Sequence, residues 1–394
     1  MKKNILIITD AYPPELRSSA ELMRDLAVAF QKRGHSVSVV TSSVKSGVAE
    51  EEGIRVIRVK TLPHHDVLFV LKGISWLLMP RLFWRAIVKK ITTCDVVIVH
   101  SPPLPLAYTA YKVKKKYGAR YILNVQDIFP QNAADLGILK NKPLIKFFER
   151  MERRAYASCD AIVTPSEKHR VYLTEKRKVP KEKISIIPHW LNIEPFEKAK
   201  NTGGFRKQFG LENKFIVFFG GVMGPSQGLD ILLRLGARLQ ESHPDIVFLV
   251  CGDGSEKKRL METKEREGAN NVYFENWAPK EEYRDLLKEM DVGLITLTAK
   301  NTTPAVPAKL MGYLAAGLPV LGFLHKESEA HKIIREAGCG ETAPYDDEDA
   351  CLNIILQMYD NRENLKVMGS NGLEYARKFL SIEAVIRQWE KIII

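Results

Sequence analysis

No two cysteines in this sequence stand at a metal-binding or redox spacing: Cys94, Cys159, Cys251, Cys339 and Cys351 are scattered, with no C-x-x-C among them. They read as reduced core thiols of an intracellular protein, which excludes a disulfide scaffold or zinc ribbon. Long apolar runs are also lacking. The opening MKKNILIITD holds only a short apolar stretch before Thr9-Asp10, too brief for a signal peptide and suited to a buried strand. The most apolar segment, residues 67–88, is interrupted by Lys72, Gly73, Pro80, Arg81 and Arg85, whereas a spanning helix needs about 20 mostly apolar residues. Its aromatics Phe69, Trp76, Phe83 and Trp84 beside cations suit a helix lying among lipid headgroups, or one packed on its own domain. There is no G-x-G-x-x-G, no P-loop lysine and no nucleic-acid module, and the run Asp346-Asp347-Glu348-Asp349 reads as a helix start on a solvated face rather than a D-x-D metal motif, so no metal site or nucleic-acid partner is expected.

Acidic residues are scarce in one half only. Residues 1–200 carry 35 Lys/Arg against 19 Asp/Glu, while residues 201–394 carry 24 against 28. The total of +12 is therefore a basic first half joined to a mildly acidic second half. At 394 residues and 45% hydrophobic content the chain is long enough for two cored domains.

Apolar runs recur at 5–8, 37–40, 54–59, 96–99, 121–125, 161–163 and 184–187, separated mostly by stretches of helical period. The plan repeats at 215–219, 246–250, 272–274, 292–295 and 319–322. Continuous, unalternating strands between helices imply parallel sheets covered on both faces. The expected fold is α/β, with two doubly wound, Rossmann-like domains facing a central cleft. Expected boundaries are 1–195 and 205–380, the break falling in NIEPFEKAKNTGG, with a helix over 381–394 free to pack back on the first domain. Ligands of such sheets sit at the carboxyl ends of the strands.

The loop after the first strand, Thr9 to Glu21, carries Ser18 and Glu21 at capping-box spacing, which predicts a helix N-terminus with amides suited to an anion. The corresponding loop of the second half, Gly220-Gly221-Val222-Met223-Gly224-Pro225-Ser226-Gln227-Gly228, is a glycine-rich strand-to-helix turn, and Gly252-Asp253-Gly254 follows the next strand. Such turns let a backbone approach a phosphate, or simply turn. The polar run Thr302-Thr303-Pro304 leads to Pro307, which suits a helix start and places Lys309 in the first turn. A cation there opposes the helix dipole unless an anion offsets it, which marks Lys309 as a ligand candidate. In the first half Asn124-Val125-Gln126-Asp127, His100-Ser101 and Pro188-His189 end neighbouring strands with polar groups. The two histidines read equally well as hydrogen-bonded residues at the core edge.

These segments together resemble the GT-B glycosyltransferases of family 4 over essentially the whole chain. The carriers are ILIITDAYPPE with RGHSVSVVT, CDAIVTPSE, IIPHWLNIEPF, the helix start GLDILL, VCGDG and YLAAGLPVL. DIFPQ with PAKL is similar to the fucosamine-transferase branch of surface-polysaccharide synthesis. The resemblance implies a retaining, metal-independent hexosyltransferase without cofactor. Its donor would be a nucleotide-activated sugar, UDP-linked and in one version an N-acetylated amino sugar. Its acceptor would be lipid-linked or a surface glycan, and the enzyme would be cytoplasmic and peripheral on an anionic membrane. By the same resemblance the second domain binds the donor, with the base near Trp277, Ala278 and Pro279 and the diphosphate near Gly221, Gln227 and Lys309. Asp127, Ser18 and Ser19 would orient acceptor and donor sugar, with His100, Gln126, Gly252, Asp253 and Thr303 as further binding candidates. The chain departs from the family pattern at Arg17-Ser18, at Val222 and Gln227, and at Pro304 and Gly312, where two glutamates usually stand. Those departures leave open a non-catalytic homologue, and the fold leaves open a sugar-nucleotide epimerase.

Overall fold

The computed structural model describes residues 2–15, 17–65, 67, 69–276, 278, 280–298, 304 and 306–394. They form two compact units, Met1–Leu191 with Ser381–Ile394, and Asn192–Leu380. All five cysteines are buried and free.

The first unit is built on β1 (Asn4–Ile8), β2 (Ser36–Ser43), β3 (Gly47–Glu51), β4 (Ile54–Lys60), β5 (Val96–Ser101), β6 (Arg120–Val125), β7 (Ala161–Thr164) and β8 (Ile184–Ile186). They lie in the order β3-β4-β2-β1-β5-β6-β7-β8. Every pairing is parallel except β3 with β4. Successive side chains of a strand go to opposite faces, and both faces here are apolar. Leu6, Ile8, Val97 and Val99 join one core with Trp76, Met79, Phe83 and Ile87 of the helix Phe69–Lys90. Ile5, Ile7, Val96 and Ile98 join the other with Met23 and Phe30 of the helix Ser18–Lys32. This two-sided burial is why the strand sequences do not alternate.

The last helix, Ile382–Ile393, follows the second unit in the chain but completes the first. Ser381 caps it by accepting from the Ala384 amide. Its Trp389 is fully buried and meets Phe30 and Trp190 edge-on, with centroids 6.3 and 5.6 Å away. Arg33 pairs with Glu390 at 2.7 Å, and the Arg120 guanidinium donates to the Ile392 carbonyl at 2.7 Å.

The second unit carries β9 (Phe215–Gly220), β10 (Ile246–Cys251), β11 (Val272–Glu275), β12 (Val292–Thr296), β13 (Val320–Leu324) and β14 (Gly340–Pro344). These run in the order β11-β10-β9-β12-β13-β14, all parallel. Strand order reverses direction at β1/β5 in the first sheet and at β9/β12 in the second, the switch points where doubly wound sheets place their ligands. Among the described residues no helix is long and apolar enough to cross a membrane.

Truncating Trp389 empties a site lined by the rings of Phe30 and Trp190. Trp389→Ala is expected to cost about 3–5 kcal/mol, read from urea unfolding of the full chain. A loss below about 1 kcal/mol would show that the terminal helix does not carry this core.

Candidate functional site

In the second unit β9 and β12 are neighbours, so the loop leaving β9 and the helix following β12 share one edge of the sheet. The loops after β9 and β10 are zipped together there. The Gly221 amide donates to the Cys251 carbonyl at 2.9 Å, and that of Met223 to the Asp253 carbonyl at 2.8 Å. The closeness demands glycine. Gly221 and Gly252 have φ of 147° and 150°. A Cβ on Gly252 would stand 2.0 Å from the Gly221 oxygen, and one on Gly221 would stand 2.4 Å from Cε of Lys309. Lys257 fixes the Gly252 turn from behind, donating to the Gly252 carbonyl at 3.1 Å and to Asn276 Oδ1 at 2.9 Å.

Lys309 lies in the first turn of the helix Ala308–Ala316, whose N-cap, Pro307, has no side chain able to accept a hydrogen bond. The lysine is half-buried. Its Nζ donates to Gln227 Oε1 at 2.7 Å and sits 4.5 Å from the Phe219 ring centroid. Loss of solvent lowers its pKa to about 8. Gly221, Gln227, Gly252 and Lys309 thus form one constellation: a desolvated cation at a helix N-terminus, above a backbone stripped of side chains. That arrangement suits a multiply charged anion. Asp253 is exposed and its Oδ1 accepts from the Gly254 amide at 2.8 Å, while Ala278 lies just beyond β11. Trp277, Pro279 and Thr303 lie outside the described residues. Sequence reasoning missed Phe219 and Lys257, one an apparent core residue and the other an apparent surface lysine.

In the first unit His100, next to last in β5, stands opposite Asn124 of β6, and Gln126 and Asp127 follow β6. His100 is buried, its pKa pulled down to about 4 by desolvation, and its Nδ1 has no hydrogen-bond partner. Gln126 Nε2 donates to Asn124 Oδ1 at 2.6 Å. Asp127 reaches solvent, yet the protein around it raises its carboxyl pKa, an effect that the charge of Lys72 opposes. His169 adds to this edge unannounced by any motif. It is buried, its Nδ1 lies 2.9 Å from Ser166 Oγ, and desolvation pulls its pKa to about 3.

The expected capping box does not form. The helix Ser18–Lys32 has Arg17 at its N-cap, with extended backbone and no side-chain cap bond. The boundary falls one residue early, on a side chain that cannot accept, so Ser18 and Ser19 are first-turn residues.

Comparison with known proteins adds to this geometry. Residues 20–195 match the model described as Glycosyltransferase Family 4, and residues 203–375 the one described as Glycosyl transferases group 1. The "Probable glycosyltransferase WbjE" of Pseudomonas aeruginosa is 26% identical over 289 residues, 72% of this chain and 71% of that protein. The phosphatidylinositol N-acetylglucosaminyltransferase GPI3 subunit of Saccharomyces cerevisiae is 24% identical over 74% of this chain, which spans only 62% of that relative's length. A crystal structure of Anabaena Alr3699/HepE in complex with UDP and glucose superposes with a TM-score of 0.75 at 15% identity, covering 99% of this chain and 98% of that one.

Proposed function

The chain belongs to the glycosyltransferases, as a hexosyltransferase-type enzyme of the GT-B fold, and on that premise we propose a retaining transferase that moves a sugar from UDP to a lipid-linked or surface-glycan acceptor. The observation that carries this reading is Lys309, held by Gln227 and Phe219 over the Gly221–Gly252 loops. In transfer the bond from the anomeric carbon to the diphosphate oxygen breaks, the acceptor oxygen takes its place, and the acceptor's proton leaves with the nucleotide. Charge therefore develops on the diphosphate. A cation and helix amides already aimed at that position stabilise it without reorganising. Lys309 supplies this charge, so the reading needs no metal at the donor site.

UDP is favoured by the bound nucleotide of the HepE structure, and an N-acetylated amino sugar by the name of the yeast relative. The DIFPQ and PAKL segments point the same way. Pro304 and Gly312 stand where the family usually has glutamates, so ribose recognition falls to other groups. On the first unit Asp127, Gln126, His100, Ser18 and Ser19 would orient acceptor and sugar.

Peripheral attachment to the inner face of an anionic membrane is proposed from the helix Phe69–Lys90. Trp76, Met79, Phe83 and Ile87 are buried, while Val70, Ile74, Leu77 and Leu78 are exposed and run on into exposed Arg81, Arg85, Lys89 and Lys90. Tyr108 is exposed, with Lys112 4.8 Å from its ring centroid and 5.5 Å from that of Trp84. An apolar row continuing into cations fits acyl chains bordered by acidic headgroups.

Lys309→Ala is expected to weaken UDP binding by about 1.5–3 kcal/mol in titration calorimetry, and unchanged affinity would sink the donor assignment. A pH series tests the same group. Burial depresses the free lysine to about 8, and a bound diphosphate favours the charged form. Affinity should therefore be greatest below that pH and decline above it, with protons taken up on binding near pH 8 in the parent but not in Lys309→Ala. A screen of UDP-sugars for nucleotide release with and without glycan acceptors then tests transfer; an epimerised sugar nucleotide formed without acceptor would replace it. For the membrane, Arg81→Glu with Arg85→Glu should cut sedimentation with acidic vesicles at least tenfold. Equal binding of the parent to neutral and acidic vesicles would remove that part.

A further inference from the structure

One cluster of buried side chains in the first unit belongs neither to the donor loops nor to the His100–Asp127 edge. Asp10 follows β1, His64 and His65 follow β4, and β2 between them carries Ser42. Asp10 Oδ2 lies 3.8 Å from His64 Nε2 and 3.6 Å from His65 Nε2, and the latter lies 3.6 Å from Glu15 Oε2. Asp10 and His64 are each 5% exposed. None of these separations is a hydrogen bond. His65 Nε2 and Glu15 Oε2 are buried polar atoms with no hydrogen-bond partner at all.

Two of its atoms are thus left unsatisfied, which is costly for buried polar groups, while His64 Nε2 has Ser42 Oγ 3.4 Å away. As a ligand set the cluster is nearly formed. Metal–ligand bonds of ~2.0–2.1 Å in a tetrahedron place ligand atoms about 3.3 Å apart, so small side-chain rotations would close the observed gaps. The surroundings already orient one imidazole. His64 Nδ1 lies 3.2 Å from the Leu62 carbonyl, which holds a proton on that nitrogen and turns the Nε2 lone pair toward Asp10. Ser42 gives its hydroxyl hydrogen to the Asp10 carbonyl oxygen, so it offers His64 Nε2 no proton.

We infer that Asp10, His64 and His65 bind one first-row divalent cation, with Glu15 or a water in the fourth position. Two imidazoles with one or two carboxylates, their ligand atoms within 4.8 Å of one another for Asp10, His64 and His65, suit zinc best. The ion would tie the loop after β1, which leads to Ser18 and Ser19, to the loop after β4, which leads into the helix Phe69–Lys90. All of its ligands lie in the first unit, separate from the chemistry of Lys309.

The test uses the full chain, stripped by a chelator and titrated with Zn²⁺ against a chromogenic competitor, and with Co²⁺ for its visible bands. The expected result is one equivalent of tightly bound metal, tetrahedral cobalt bands, and at least tenfold weaker binding in His65→Ala and His64→Gln. His65 is the more exposed histidine, so its variant guards against misfolding, with unchanged circular dichroism and UDP affinity as the control. Absence of a tight equivalent in the parent, or equal binding by parent and both variants, would overturn the site. UDP titration of the same samples keeps the two readings apart: metal binding without UDP binding would remove the donor assignment alone, and the converse would remove this site alone.

Discussion

Parallel strand pairing is the constraint from which the chemistry of each unit follows. Parallel strands must be joined by crossovers, so in each sheet the carboxyl ends collect on one edge and the N-termini of the following helices collect beside them. That edge carries helix amides with no partner inside their own helix. Where the strand order reverses, at β9/β12, crossovers leave on opposite faces and the edge opens. Gly221 and Lys309 are brought together there because one follows β9 and the other the strand next to it, although they are far apart in the chain. The glycines are the second half of the solution. With a carbonyl 2.0 Å from where a Gly252 Cβ would be, no other residue lets the two loops zip, and the zipped loops present backbone where side chains would otherwise stand.

Lys309 is kept in a place that is electrostatically wrong for a free protein. A cation in the first helical turn opposes the dipole by about 0.3–1 kcal/mol, and burial adds the cost that depresses its pKa. Gln227 and the Phe219 ring offset part of this through a hydrogen bond to charge and a cation–π contact. Both are weaker partners for an ammonium than a diphosphate. The free state thus leaves charge imperfectly compensated, and the differential between Gln227 and an anion is what binding can draw on.

Much of the architecture was legible because buried parallel strands write themselves as unbroken apolar runs. β3 and β14 were not, since GVAEE and GETAP are edge strands with no apolar run. The docking of the last helix on Phe30 and Trp190 joins segments far apart in the chain, and periodicity shows only that such a helix has an apolar face. Helix-start chemistry singled out Lys309 as a misplaced cation, while Gly221 and Gln227 came with the family resemblance; the structure sets both beside that lysine. The helix start at Ser18 was read one residue late, because Arg17 occupies the cap without capping chemistry. Asp10 with His64 and His65 was invisible, because the residues follow β1 and β4, which reach the same sheet edge only with β2 paired between them.

The edge of the first sheet differs in kind from that of the second. His100, His169 and His189 are pulled to about 4, 3 and 4 chiefly by desolvation, so all are neutral at physiological pH. Around them His100 Nδ1, Asn124 Nδ2, Gln126 Oε1, Thr164 Oγ1, His169 Nε2 and His189 Nε2 are buried without partners. A neutral imidazole offers one donor and one acceptor, and an amide offers both. Such an edge pairs with hydroxyl groups at little electrostatic cost and gives no special advantage to an anion. The second unit holds a cation beside bare backbone, as the proposed diphosphate site requires, while the first leaves uncharged donors and acceptors open. That division matches the two partners of glycosyl transfer, one a charged leaving group and the other a polyol whose hydroxyl must be oriented before it can attack.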